Sequence, residues 1–178
     1  MLDKNRSKMI ALAALFIAIG VVISPFTWFP VGPSKANPTQ HVVNVLSGIL
    51  LGPLWGAFIA FAIGLIRNIL GVGTIFAFPG GIPGALIVGF LFHYIFKRLF
   101  SYNKAISAAF AEPIGTVLIG ATVSIYILIP AILSNITALM IFYLGWLASS
   151  LIGSIIGFLL LRYLSRVGYD RKRIIGED

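Results

Sequence analysis

Long apolar runs separated by short polar breaks dominate the chain from end to end. They cover roughly residues 9–28, 41–52, 54–70, 82–96, 105–129 and 133–164. About 20 apolar helical residues cross a bilayer, and the pattern predicts six crossings in a single transmembrane domain covering 1–178. The second run is short and stops at Pro53, and the sixth is long enough to be tilted or to begin outside the bilayer. Two breaks are rich in proline and glycine, PVGPSKANPTQ (Pro30 to Gln40) and GVGTIFAFPGG (Gly71 to Gly81), and a third, KRLFSYNK (Lys97 to Lys104), is basic. The fifth run carries Pro113, which denies the Ala109 carbonyl its helical donor and predicts a kink. The expected fold class is an all-α integral membrane protein.

Composition supports that pattern. Of 178 residues, 59% are hydrophobic and 10% are charged, where a soluble domain carries roughly a quarter charged. The net charge of +8 would suit nucleic acid if it were clustered, but the cations sit between the apolar runs, as topology signals do. With six crossings, Lys4, Arg6, Lys8, Lys97, Arg98, Lys104, Arg162, Arg166, Arg171, Lys172 and Arg173 fall on one side of the membrane. The other side has Lys35, with Arg67 near the outer end of the third run. The positive-inside rule then places both termini in the cytoplasm and both Pro/Gly-rich breaks outside. The first run follows basic residues as a signal peptide does, but no small-residue cleavage site follows it, so it reads as a retained span.

Several chemistries are excluded. There is no cysteine, hence no disulfide, thiolate nucleophile or Cys-ligated metal. His41 and His93 lie far apart, and no HExxH or DxDxDG spacing occurs, so no metal site is expected. A GxxxxGK(S/T) phosphate loop is also absent, so any active process draws on a partner or an ion gradient. Without paired carboxylates or a Ser/His/Asp set in the spans, no catalytic residue is expected and the chain does not read as an enzyme.

The polar residues inside the apolar runs are the candidates for function, since an Arg or Asp at the centre of a span costs roughly 2.5–3.5 kcal/mol on insertion scales. Arg67 and Asn68 lie in the third run, and Glu112 is the acidic residue within the spans. Arg67 and Glu112 either pair with each other or orient nearby amides. Glu112 and Thr116 share a helix face at i, i+4, and Gln40, His41 and Asn44 share one at the start of the second run. The stretch TIFAFPGG (Thr74 to Gly81) places Phe76 and Phe78 beside a Pro-Gly-Gly turn, either as a lid that stacks on a planar ring or as an ordinary interfacial loop. Small residues recur every four positions at Ala14 and Ala18, at Gly81, Ala85 and Gly89, and at Gly145, Ser149, Gly153 and Gly157, which permits close helix approach in lipid.

Three stretches carry a resemblance: KANPTQHVVNVLSGILLGP (Lys35 to Pro53), GLIRNILGVGTIFAFPGGIPGAL (Gly64 to Leu86) and AEPIGTVLIGA (Ala111 to Ala121). Together they resemble the ThiW family of substrate-binding (S) components of energy-coupling factor (ECF) transporters, over most of the chain. The resemblance implies a six-helix S-component bundle in a prokaryotic plasma membrane. It implies uptake of the thiamine precursor 4-methyl-5-(2-hydroxyethyl)thiazole, without a cofactor of the chain's own. A transmembrane coupling subunit and two ATP-hydrolysing subunits would be the partners. The AxxxA pattern in the first helix of S components, matched here by Ala14 and Ala18, implies a docking surface for the coupling subunit.

A small neutral ligand of this kind needs few polar groups and mostly apolar walls. Gln40, His41, Asn44 and Asn68 can meet its hydroxyl and ring nitrogen, and Phe76, Phe78, Tyr143 or Trp146 can face its ring. A neutral ligand needs no counter-ion, so Arg67 and Glu112 are expected to pair or to orient the asparagines, although Glu112 could also accept the ligand hydroxyl. Two other readings stand beside this one: an S component for another vitamin-like molecule such as thiamine, and a stand-alone proton-coupled carrier using Glu112.

Overall fold

The computed structural model describes residues 4–31, 34–132 and 139–176. Helix α1 (Lys4–Thr27) leads into a two-stranded antiparallel hairpin, β1 (Phe29–Val31) and β2 (Ser34–Ala36), in which Pro30 pairs with Lys35. Then come α2 (Pro38–Leu51), α3 (Pro53–Ile69), α4 (Ala77–Leu99), α5 (Tyr102–Ala131), α6 (Leu139–Arg166) and the short α7 (Arg171–Ile175). Among the described residues, α1, α4, α5 and α6 are long and apolar enough to cross a membrane, and α3 is a shorter apolar helix. The chain is an all-α membrane protein, and its outer surface carries large apolar side chains such as Leu54, Phe26, Leu118 and Ile127, as lipid contact requires.

The short α2 is the axis of the packing. Eleven of its 14 residues are buried, and α1, α3, α4 and α6 all pack on it. Its start is set locally: the Asn37 side-chain oxygen accepts from the Gln40 amide at 3.3 Å, and Pro38 takes the first helical position, where no amide hydrogen is needed. Its end is set by Gly52, whose φ of 103° few other residues adopt and whose amide reaches the Ser47 and Gly48 carbonyls. Pro53 then opens α3, so α2 and α3 are separated by a single residue.

Two expectations are corrected. The segment up to Gly81 was expected to be irregular, with a helix from Ile82; the helix instead begins at Ala77 and runs through Pro79, Gly80 and Gly81. Pro79 lies in the first turn, where its missing amide hydrogen leaves no carbonyl bereft. Pro113, for its part, does not orphan the Ala109 carbonyl. The backbone tightens into 3₁₀ geometry over Ile106–Ala111, and the Glu112 amide reaches that oxygen. The expected start of the sixth run, residues 133–138, lies outside the described residues.

Two apolar clusters fill the bundle. One joins the α2 end at Val45, Ile49 and Leu50 to Ile59, Phe92, Ile106, Leu161 and Ile175. The other joins the hairpin at Val31 and Ala36 to Phe76, Val117, Ile125, Phe142 and Trp146. Along both α5 and α6, buried polar residues fall between the two: Glu112 and Thr116 on one, Ser149, Ser150 and Ser154 on the other. Residues of the small-residue stripes on α4 and α6 pack internally. A Cβ on Gly157 would meet the Val45 side chain at 2.8 Å, and one on Gly89 would meet the Pro53 Cα at 2.6 Å. Ala14 and Ala18, by contrast, are exposed on α1. Because Pro53 backbone cannot yield as a side-chain tip does, Gly89→Ala is expected to cost about 1–3 kcal/mol and to lower the thermal unfolding midpoint in detergent. An unchanged midpoint would show that α3 and α4 do not touch there.

Candidate functional site

The polar layer converges on Glu112, which is fully buried. Its Oε1 accepts from His41 Nδ1 at 2.8 Å, Asn44 Nδ2 at 2.8 Å and Thr116 Oγ1 at 2.7 Å, and its Oε2 accepts from the Ser150 hydroxyl. Donors therefore come from α2, α5 and α6. The Thr116 hydroxyl also lies 2.9 Å from the Gly80 carbonyl on α4, and its one hydrogen serves either acceptor. The three-residue spacing of His41 and Asn44 puts both on the side of α2 that faces α5, which is why one carboxylate oxygen receives both. A carboxylate oxygen accepts here, so the His41 contact is a donation from Nδ1–H, and the other ring nitrogen accepts in the neutral tautomer and donates in the imidazolium.

A second chain of bonds runs beside the first. Arg67 Nη1 donates to Gln40 Oε1 at 2.8 Å, and Gln40 Nε2 donates to the Ala77 carbonyl at 2.9 Å. The expected Arg67–Glu112 pair does not form: Gln40 takes the guanidinium and His41 takes the carboxylate, because neighbouring residues of α2 stand between α3 and α5. The alternative expectation, a charge that orients an asparagine, describes Glu112 and Asn44.

Above these networks lies a cavity lined by Lys35, Asn37, Gln40, His41, Phe76 and Trp146, with Ala36, Ala77 and Gly80 completing the wall. Its volume is about 20 Å³, room for a water molecule. Trp146 packs on Phe142 with ring centroids 4.8 Å apart, Phe76 meets Phe142 edge-on at 5.7 Å, and Trp146 Nε1 donates to Ser34 Oγ on the hairpin at 3.3 Å. Lys35 ties the hairpin across the cavity: its Nζ lies 4.8 Å from the Trp28 ring and 3.4 Å from the Val72 carbonyl in the α3–α4 connection. At the other flank, Asn37 Nδ2 donates to the Ser24 carbonyl at 3.0 Å, and the Thr27 and Thr39 hydroxyls meet at 2.8 Å.

Of the residues expected to bind substrate, Gln40, His41, Phe76 and Trp146 reach the cavity wall, and Asn44, Glu112 and Thr116 form the layer behind His41. Three others are placed elsewhere. Asn68 Nδ2 donates to the Gly64 and Thr74 carbonyls, stapling the α3–α4 connection. Phe78 packs against Phe61 at 5.6 Å, since two helical residues turn it about 200° from Phe76. Tyr143 turns to α5, where its hydroxyl meets Thr122 Oγ1 at 3.0 Å. Sequence reasoning missed Lys35, Asn37, Phe142 and Ser150. Phe142 and Trp146 share the i, i+4 spacing that could have revealed the first of the aromatic partners. Among the described residues, no group of three or more His, Asp or Glu side chains is placed to hold a metal ion.

A buried polar layer at mid-bundle beneath a small aromatic-walled cavity suits a protein that holds and moves a solute. The model of one family, described as "Thiamine-precursor transporter protein (ThiW)", matches residues 10–167. The chain belongs to the ThiW family. It is also similar to the pantothenic acid transporter PanT of Lactococcus lactis subsp. cremoris (strain MG1363), at 28% identity over 182 residues, covering 87% of this chain and 85% of that protein. Family membership makes this ThiW chain a multi-pass membrane transport protein rather than an enzyme, as the absence of catalytic constellations led one to expect.

Glu112→Gln retains the shape of the side chain but removes its charge and turns one oxygen position into a donor amide, which faces either His41, Asn44 and Thr116 or the Ser150 hydroxyl. It is expected to lower stability in detergent by about 3–5 kcal/mol, the cost of breaking a buried pair from one side. Thr116→Val removes one donor among four and is expected to cost about 1 kcal/mol. Chemical denaturation of the two variants side by side checks the ordering; equal midpoints would remove Glu112 from the centre of the layer.

Proposed function

We propose that this ThiW protein is the substrate-binding S component of an ECF-type importer, a six-helix bundle in a prokaryotic plasma membrane with both termini in the cytoplasm. Its solute is a thiamine precursor, with hydroxyethylthiazole the best chemical match. The observation that carries this reading is the cavity wall, where two aromatic rings, Phe76 and Trp146, share the lining with the hydrogen-bonding side chains of Lys35, Asn37, Gln40 and His41. Aromatic walls of this kind suit a planar heterocycle once the cavity opens. With its ring neutral, His41 donates Nδ1–H to Glu112 and offers Nε2 to the ligand hydroxyl, and the Gln40 amide offers a donor to the ring nitrogen. Glu112 thus acts through His41 and Asn44 rather than on the ligand, which is the orienting role expected of it beside a direct contact with the ligand hydroxyl.

Energy comes from outside the chain in this scheme. A coupling subunit docks on the exposed Ala14 and Ala18 stripe, where small side chains allow a second helix to approach closely, and its partner ATPases hydrolyse ATP. The proton-carrier reading loses support from the same geometry, because four donors hold the Glu112 carboxylate as an acceptor and none is positioned to leave without a cost. A cavity of about 20 Å³ does not hold a substituted thiazole, so the β1–β2 hairpin lifts to admit one, breaking the Lys35 contacts and the Trp146–Ser34 hydrogen bond.

Titration calorimetry on the purified chain, with hydroxyethylthiazole, thiamine and pantothenate in parallel, tests the proposal. Hydroxyethylthiazole is expected to bind, and Trp146→Ala to weaken it by on the order of 100-fold, the scale of losing an aromatic anchor of about 3 kcal/mol. Failure of all three ligands to bind would overturn it, and preference for pantothenate would move the chain to a different vitamin. Lys35→Met keeps the stem over Trp28 and removes the charge. It is expected to raise both association and dissociation rates by about 5-fold, the equivalent of about 1 kcal/mol of cation–π and hydrogen-bond attachment, with little change in Kd by stopped-flow fluorescence.

A further inference from the structure

The lipid-facing surface is not uniform. Between α3, α4 and α5 lies a groove of about 740 Å³, lined by Leu54, Leu86, Ile87, Phe90, Tyr94 and Ile114 among others. It is almost wholly apolar along its length, and its walls are large side chains, with Leu54 79%, Phe90 52% and Tyr94 50% exposed. Its floor is shaped by the α2–α3 break, where Pro53 backs closely onto Gly89 of α4. Alongside Tyr94 the α4 backbone widens into π geometry over Leu91–Phe96, an irregularity that often marks functional places in helices. Lys97 and Arg98 follow Tyr94 by three and four residues, one turn further toward the end of α4. Both are exposed, and among the described residues neither forms an ion pair.

We infer that this groove is a binding site for one anionic phospholipid, with an acyl chain along Leu54, Ile87 and Phe90 and the headgroup phosphate at Lys97 and Arg98, beside the Tyr94 hydroxyl. Two features of the groove decide its occupant. A partner helix is received by small residues that let backbones approach, as on the Ala14 and Ala18 face of α1, whereas a wall of leucine, isoleucine and phenylalanine suits a thin, flexible chain. A pair of unpaired cations at one end suits a phosphate, each Lys or Arg near an anionic membrane surface contributing about 1 kcal/mol of attraction. The aromatic Tyr94 at the boundary between apolar wall and cations is the residue type that settles at headgroup depth. The site is separate from the cavity under the hairpin, and the proposal needs only that the chain is embedded in a membrane.

Native mass spectrometry of the detergent-purified full chain tests it, with phosphatidylglycerol and phosphatidylcholine of identical acyl chains, and glycerol phosphate as a chainless probe. One phosphatidylglycerol is expected to be retained in preference to phosphatidylcholine, and glycerol phosphate not to be retained. K97Q and R98Q are each expected to reduce the preference roughly 5-fold without altering retention of phosphatidylcholine. Leu54→Trp, which fills the groove from its exposed wall, is expected to reduce retention of both lipids, with an unchanged thermal midpoint confirming that the bundle is intact. Equal retention of the two lipids by the unaltered chain, retention undiminished by Leu54→Trp, or retention of glycerol phosphate alone would overturn the proposal. So would a second copy of the chain occupying the groove, seen as a dimer that Leu54→Trp abolishes.

Discussion

One carboxylate organises the bundle. A bare charge cannot sit in the interior of a membrane protein, so Glu112 must be surrounded by donors, and those donors can come only from helices held at fixed distance around it. His41 and Asn44 of α2, Thr116 of α5 and Ser150 of α6 meet that requirement. Sliding or rotating any of these helices would strand either the carboxylate or a donor. The hydrophobic effect offers little force between helices immersed in lipid, so this cluster supplies the register that apolar packing alone would leave loose. The apolar clusters above and below it then fill space around a frame already fixed.

The same requirement explains the division of labour along α2. Its first half carries Gln40, His41 and Asn44, and its second half is apolar and closes the far end of the bundle with Ile49 and Leu50. The carbonyls at that far end are not left bare: His93 Nε2 lies 3.1 Å from the Ile49 carbonyl and Arg171 Nε donates to the Leu50 carbonyl at 3.0 Å. Cationic and donor groups at a helix C-terminus satisfy its last acceptors and complement its dipole. A helix of 14 residues is thus anchored by polar contacts at both ends while its middle is gripped by apolar neighbours.

Much of this is legible in the sequence. Apolar runs mark the long helices because a lipid-facing surface leaves composition no freedom, and charged or amide residues inside those runs stand out against that background. Helical spacing grouped His41 with Asn44 and Glu112 with Thr116, and the four meet at one carboxylate oxygen. What spacing does not contain is the distance between helices. Arg67 and Glu112 look like natural partners along the chain, yet Gln40 and His41 sit between them. Ser150 was hidden beside a stripe of small residues that reads as packing. The β1–β2 hairpin was hidden because strands of three residues are too short to show alternation, and the prolines around them read as loop. Asn68 was assigned to the ligand for its amide and Tyr143 for its ring; the first is held by the Gly64 and Thr74 carbonyls and the second turns to the Thr122 hydroxyl.

The chain has three tryptophans, and they report on different places. Trp55 packs edge-on against Phe58 beside the lipid-facing surface. Trp28 lies under the Lys35 ammonium, and Trp146 holds the hairpin through Ser34 while forming part of the cavity wall. Two of the three indoles are therefore attached to the same few residues of hairpin. Any displacement of that hairpin withdraws a cation from one indole and a hydrogen-bond partner from the other. The protein carries its own optical gauge of whether the compartment beneath the hairpin is shut.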